Sequence, residues 1–340
     1  MTIPSPRHCS PLSGSGRAGG ASPRRQTAAT QAALLLLAAL ALGIASAPPV
    51  AAATLRVGPG ERFATPSAAA AAARPGDRIL IRPGTYQDCA VWRTPDLTIE
   101  AEGGPVVITG PVCQDKALFV VAAPRITISG LTFRGAVAPA GNGGGIRAEG
   151  GDLTIRRSRF EENETGILSA TNIPTATVVI EDSVFLRNGA WDGRVCRAHS
   201  LYVNQLALLA IRRSRFEATR VCHHVKSRAL RTEITDSEIL DTPGERASYQ
   251  VDIPNGGDLV LARTTIRKGP TAGNPSAAVV IGAEGRLHPT RELRIEANRF
   301  ENLLPQSTIF VRNLTEAPAA LSGNRLSGQV TALQGPGTVR

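Results

Sequence analysis

Three short segments of this 340-residue chain hold most of the side chains able to move a proton or grip a carboxylate. They are His199-Ser-Leu-Tyr-Val-Asn204, His223-His-Val-Lys-Ser-Arg228 and Ser248-Tyr-Gln-Val-Asp-Ile253. Leu201, Val225 and Val251 occupy matching places in them, 24 and 26 residues apart. If each segment is a strand with that apolar residue turned inward, alternation turns Ser200, Tyr202 and Asn204 outward on the first. The same rule exposes His224, Lys226 and Arg228 on the second and Gln250 and Asp252 on the third. Stacked strands lie about 5 Å apart, so phenol, imidazole, ammonium, guanidinium and carboxylate would share one patch. Cations facing a sugar carboxylate acidify the neighbouring C–H, a base removes that proton, and an acid protonates the departing oxygen. The set therefore suits β-elimination, or C5 epimerisation, of a uronic-acid polymer. Lys226 is the candidate base if Arg228 and His224 lower its pKa. Arg228 is the candidate carboxylate clamp, and Tyr202 or His224 the candidate acid. Ser200, Asn204, Gln250 and Asp252 are candidate substrate contacts. The bland alternatives are His199 and His223 as satisfied core residues, Lys226 and Arg228 as solvating charges, and Asp252 as their ordinary ion partner.

What must position such a patch is a repeat. Leu153-Thr-Ile-Arg-Arg-Ser-Arg-Phe160 returns as Val178 to Phe185, Leu209 to Phe216 and Thr232 to Ile239, with weaker copies ending at 133, 266, 300 and 326. The mean step is close to 28 residues, which points to a stacked-repeat fold. Apolar residues alternate inside each copy, the period of a half-buried strand. Two places before each closing apolar residue stands Ser158, Ser183, Ser214, Ser237, Thr264, Asn298 or Asn324. A short hydroxyl or amide at one fixed phase predicts a repeated tight turn and, across stacked rungs, a ladder of side-chain to backbone hydrogen bonds. Leucine-rich repeats have a shorter period and a consensus that is missing here. The fold class predicted is all-β: a single-stranded right-handed parallel β-helix. Thr65 or Ser67 caps a short alanine helix over its N-terminal end, and Pro75-Gly76 stops it.

These rungs, with Val57-Gly-Pro-Gly60, Ala64-Thr-Pro-Ser67, Pro75-Gly-Asp77 and Pro83-Gly-Thr-Tyr86 before them, resemble the pectin-lyase-like superfamily over roughly residues 54 to 330. That resemblance implies the β-helix and leaves activity open, because this fold carries lyases, hydrolases, epimerases and adhesins. Val225-Lys-Ser227 looks like the Lys-Ser strand of the alginate lyase and chondroitinase B family. The likeness implies Lys226 as base and Ca²⁺ as the cofactor to test. The family's Arg-His-Gly on the next rung is replaced by Tyr249-Gln-Val-Asp252, and its acidic calcium cluster is not evident. Polygalacturonase motifs and glycine-aspartate calcium nonapeptides are missing.

Residues 1–53 read as an export segment: Arg7, Arg17, Arg24 and Arg25, an apolar run from Ala32 to Ile44, then Val50-Ala-Ala-Ala53. The run is short for a membrane span. Removing the segment takes four of the 38 basic residues and no acid, leaving 34 against 28 and a net charge of +6. For an exported chain with dispersed arginines, that balance favours an acidic polysaccharide over nucleic acid. Residues 54–340 form one domain, with no further membrane insertion expected.

Cys89 and Cys113 are 24 residues apart, and Cys196 and Cys222 are 26 apart, each about one rung. Stacked neighbours are within disulfide reach, so two rung-spanning disulfides are predicted in an oxidising compartment, four buried thiols being the alternative. No CxxC or zinc-type spacing exists, so metal binding through cysteine is not expected. Gly141-Asn-Gly-Gly-Gly145 reads as a turn, since no Lys-Ser/Thr follows it. Trp92 and Trp191 are either sugar platforms or loop packing. The sequence thus describes a secreted or periplasmic, monomeric β-helix acting on acidic polysaccharide as a lyase or epimerase. The alternative is a non-catalytic polysaccharide-binding or envelope-structural protein.

Overall fold

The structure, a computed structural model, describes residues 52–170, 173–191 and 196–340, with no statement made for the Trp191 side chain. The predicted export segment lies outside the described residues except for its last two. Three all-parallel sheets of twelve, ten and ten strands wind past one another; each of ten complete rungs contributes a strand to every sheet, and Thr54–Val57 and Gly337–Val339 add one more at each end of the largest. Chain-adjacent rungs are hydrogen-bonded neighbours throughout, as in a right-handed parallel β-helix.

The repeated octapeptide makes two strands and the corner between them. Leu153–Arg156 belongs to the twelve-stranded sheet and Arg159–Glu161 to the next. At the corner Arg157, Asp182, Arg213, Asp236 and Arg263 take φ between 45° and 53°. This left-handed residue reverses the chain in two positions, and its strain is offset by the residue that follows it. Ser158 Oγ donates back to Arg156 O at 2.8 Å, and the Ser158 amide donates to Ser183 Oγ at 3.2 Å. The amides of Ser183 and Ser214 repeat that bond to Ser214 Oγ and Ser237 Oγ, both at 3.1 Å. Thr264 and Asn298 pass it on to Asn298 and Asn324 at 2.9 and 3.0 Å. The predicted ladder is present.

Two places further on, the large apolar residues stack inside the bore. Phe133, Phe160, Phe185 and Phe216 lie with ring centroids 5.2, 4.6 and 4.4 Å apart, all fully buried. Burial stabilises each by roughly 1.5–3 kcal/mol. Gly166 gives the stack room, since a Cβ there would fall 2.5 Å from Ser200 O and 2.7 Å from the Phe185 ring. Of the corner arginines, Arg213 pairs with Asp182 at 2.7 Å and Arg263 with Asp236 at 2.6 Å, each one rung away, while Arg157 donates to Ser129 Oγ at 2.7 Å. Such exposed pairs add little stability.

The helix is Pro66–Ala72, and Thr65 Oγ1 caps it by accepting from the Ala68 amide at 3.3 Å. The glycine-rich stretch is only partly a turn, because Gly144 and Gly145 begin the strand Gly144–Ala148. The tail continues the solenoid with strands Val330–Gln334 and Gly337–Val339. Trp92 is fully buried and packs edge-on against Phe119 at 5.4 Å, so it is core. Both disulfides, Cys89–Cys113 and Cys196–Cys222, are formed, with Cα atoms 5.4 and 5.6 Å apart. Among the described residues no helix is long and apolar enough to cross a membrane.

Candidate functional site

The three polar segments become consecutive rungs of one ten-stranded sheet, with strands Leu201–Val203, Val225–Ser227 and Val251–Ile253. Leu201, Val225 and Val251 are fully buried in register, as alternation requires. Tyr202 pairs with Lys226 and Lys226 with Asp252 in one column on the other face. Leu168 stands at that place one rung earlier and Val280 one rung later, so the polar column has hard apolar limits.

Lys226 Nζ lies 3.3 Å from Asp252 Oδ2 and 2.6 Å from Glu284 Oε1. Arg228 donates from Nε to the Tyr202 hydroxyl oxygen at 2.9 Å and from its other nitrogens to Asn255 Oδ1 and Glu284 Oε2. Both cations lie near the Tyr202 ring, Lys226 Nζ 5.7 Å and Arg228 Cζ 5.8 Å from its centroid. Glu284 therefore bridges the two cations with its two oxygens, and its side chain is 46% exposed. Burial works against its charge, but Lys226 and Arg228 outweigh that and hold its carboxyl below the usual range. Asp252 behaves oppositely. Burial pushes it up to about 6 even though Lys226 pulls down, and its Oδ1 is buried without a hydrogen-bond partner. Two carboxyl groups on the same lysine are thus shifted in opposite directions.

A second column runs beside the first. The rings of His199, His223 and Tyr249 stack at 4.8 and 5.0 Å. His199 Nδ1 accepts from the His223 amide at 3.2 Å, and His223 Nδ1 from the Tyr249 amide at 3.1 Å. Each imidazole is thereby fixed as the Nε2–H tautomer. Burial, then the Lys226 charge, lowers His199 to about 3, and burial drives His223 well below its ordinary value. Both rings are neutral, so both histidines are satisfied residues. His223 Nε2 lies 3.5 Å from Asp252 Oδ2 and joins the two columns.

Alternation fails at Ser200, His224 and Gln250, all fully buried rather than outward. Each precedes a three-residue strand, so it lies in the incoming turn, where the strand rule does not apply. His224 sits between Thr219 Oγ1 at 2.8 Å and Asp241 Oδ1 at 2.7 Å. Asp241 also accepts from Gln250 Nε2 at 3.0 Å, and Lys268 Nζ donates to Ser248 O at 2.7 Å and Gln250 Oε1 at 3.3 Å. This closed polar core supports the sheet from within. His224 is consequently neither an acid facing substrate nor a neighbour able to tune Lys226, and Ser200 and Gln250 are not substrate contacts. Asn204 is spent on Ser169, donating to its carbonyl at 3.1 Å. Glu284 and Asn255, which complete the cluster, escape local pattern reading. The step from Ile266 to Phe300, 34 residues against a mean near 28, is the one sign of an insertion there.

A calcium ion takes six to eight oxygen ligands, whereas the carboxylates here are engaged by Lys226 and Arg228. The cluster does not fit that ion. Among the described residues, the one gathering of three metal-type donors is Cys196, His199 and Cys222, and its two sulfurs are bonded to each other.

A solved alginate lyase from Paenibacillus sp. str. FPU-7 superposes with a TM-score of 0.55 at 16% identity, over 84% of this chain and 99% of that one. The two share the parallel β-helix fold. A GH136 lacto-N-biosidase from Eubacterium ramulus gives a looser superposition, with a TM-score of 0.36 at 9% identity over 80% of this chain and 62% of that one. No protein-family model matches the sequence, and no curated protein does.

Proposed function

We propose that this β-helix is an exported, secreted or periplasmic, enzyme that cleaves an acidic polysaccharide by β-elimination at Tyr202, Lys226 and Arg228. The observation that carries the reading is the Glu284 carboxylate bound across Lys226 Nζ and an Arg228 nitrogen. A carboxylate already fits this pair of cations, and a uronate carboxylate has the same shape and charge. The half-exposed Glu284 side chain can swing away when one arrives. With that carboxylate neutralised, the neighbouring C–H becomes acidic. Lys226, as the neutral amine with Arg228 alone holding the carboxylate, takes this proton, the electron pair forms the new C=C bond, and the glycosidic C–O bond breaks. The Tyr202 oxygen accepts from Arg228, which leaves its own proton free for the departing oxygen. Two disulfides suit the compartment where such polymers lie, and the alginate lyase of like fold supports the substrate class.

The test is the ultraviolet absorbance of the unsaturated uronate, measured with alginate, pectate, hyaluronan and chondroitin. We expect a rise with one of them, falling about 100-fold or more in Lys226→Ala. Glu284→Gln should lower KM by removing the internal competitor. Wild-type traces that stay flat throughout, with the polymers still bound, would leave the non-catalytic binding reading standing.

A further inference from the structure

A cavity of about 300 Å³ opens beside the catalytic cluster, walled by the Cys196–Cys222 disulfide, His223, Arg246, Ser248 and Asn274. We infer that it is a second sugar subsite whose cation, Arg246, takes the carboxylate of the uronate next to the one held by Lys226 and Arg228. The inference rests on the function proposed above and narrows its substrate to polymers carrying acid on consecutive units.

Arg246 carries the argument. It is exposed and makes no ion pair among the described residues, whereas Arg213 and Arg263 at the corner are closed off by Asp182 and Asp236. Its donors remain available for a two-pronged grip on a carboxylate. The rest of the wall matches a pyranose. The disulfide and the His223 ring offer polarisable surface to a C–H face. Ser248 and Asn274 offer hydroxyl and amide groups to ring hydroxyls. Those two are fixed beforehand: Asn274 Nδ2 donates to Ser248 Oγ at 3.2 Å, and the Ser248 carbonyl is held by the buried Lys268. The volume is at the lower end for a small-ligand pocket, which suits one sugar residue.

The link to the reacting centre is short. His223 borders the cavity and reaches Asp252 at 3.5 Å, and Asp252 touches Lys226 at 3.3 Å. The strand Val221–Cys222 pairs with Arg246–Ala247, so Arg246 is set by its own rung ladder rather than by a free loop. Two cationic positions on neighbouring rungs would read two neighbouring carboxylates. A polymer in which every second sugar is neutral can fill only one.

The experiment compares binding of a mannuronate tetramer and a hyaluronan tetramer by titration calorimetry, using wild type, Arg246→Ala, Arg246→Lys and Lys226→Ala. We expect wild type to favour the mannuronate tetramer. Arg246→Ala should weaken that binding about tenfold, leave hyaluronan binding unchanged, and melt like wild type; Arg246→Lys should fall between. Equal loss on both tetramers, loss on neither, or a wild-type preference for hyaluronan overturns the subsite while the polysaccharide reading survives. Wild type and Lys226→Ala alike in binding neither tetramer would overturn that reading and the subsite with it.

Discussion

The serine corner and the outer face of the Tyr202 sheet belong to the same rungs and follow opposite rules. At the corner the rungs from Ser158 onward repeat one set of groups: a left-handed residue, then a hydroxyl or amide that accepts from the amide of the rung before, as at Ser183, Ser214 and Ser237. Each member can be exchanged for another small polar residue, as Ser158, Thr264 and Asn298 show. On the outer face nothing is repeated. Tyr202, Lys226 and Asp252 differ on three successive rungs, and Leu168 and Val280 close the series. Their partners come from elsewhere, Glu284 lying 58 residues beyond Lys226. Repetition gives stability that is shared among many bonds. Departure from it gathers charge at one place, and in a solenoid that departure is the mark of a site.

The contrast can be strained from either side. Phe185→Ala opens a cavity in the middle of the ring stack and should cost about 3–5 kcal/mol in urea unfolding, because no neighbour can fill the gap between Phe160 and Phe216. A loss near zero would mean the stack is not what holds the bore together. At the site the largest stability effect should depend on pH. The Asp252 carboxyl is raised from 3.8 to about 6, so its contribution is fully present below 3.8 and disappears as pH rises through about 6. Asp252→Asn should erase on the order of 2–3 kcal/mol of that change, read from unfolding free energies across the same range. An unaltered pH profile in the variant would assign the dependence to another group. Smallest is the ladder itself. Ser183→Ala removes the acceptor for the Ser158 amide and should cost about 1 kcal/mol; a cost of several kcal/mol would show that the ladder is cooperative rather than shared out.

The legible parts of this molecule are those fixed by period. Rung spacing, the inward stack, the polar corner and both disulfides follow from residues recurring at one phase, whereas the helix cap, which falls on Thr65 rather than Ser67, follows from a local signal. The shared column of Tyr202, Lys226 and Asp252 is legible for the same reason, since each sits inside a strand beside a correctly placed apolar residue. The errors fall one position outside. Ser200, His224 and Gln250 precede strands only three residues long, and there the turn decides the direction of the side chain. His224 and Gln250 are also partnered by Asp241 and Lys268, polar groups that lie outside these segments. Glu284 was hidden for another reason: it lies on an irregular connection, and only the fold brings it back to Lys226.

One property of that connection reaches beyond this site. The Glu284 segment lengthens its rung, yet Leu259 still meets Leu293, and Ile266 still meets Phe300. The floor of the groove is therefore indifferent to the length of its walls. Such an architecture works as a chassis with interchangeable fittings: connections between strands can be lengthened, shortened or rewritten while the column of Tyr202, Lys226 and Asp252 stays where it is. On the function proposed above, the choice of polymer could then change through these borders alone, with Tyr202, Lys226 and Arg228 untouched.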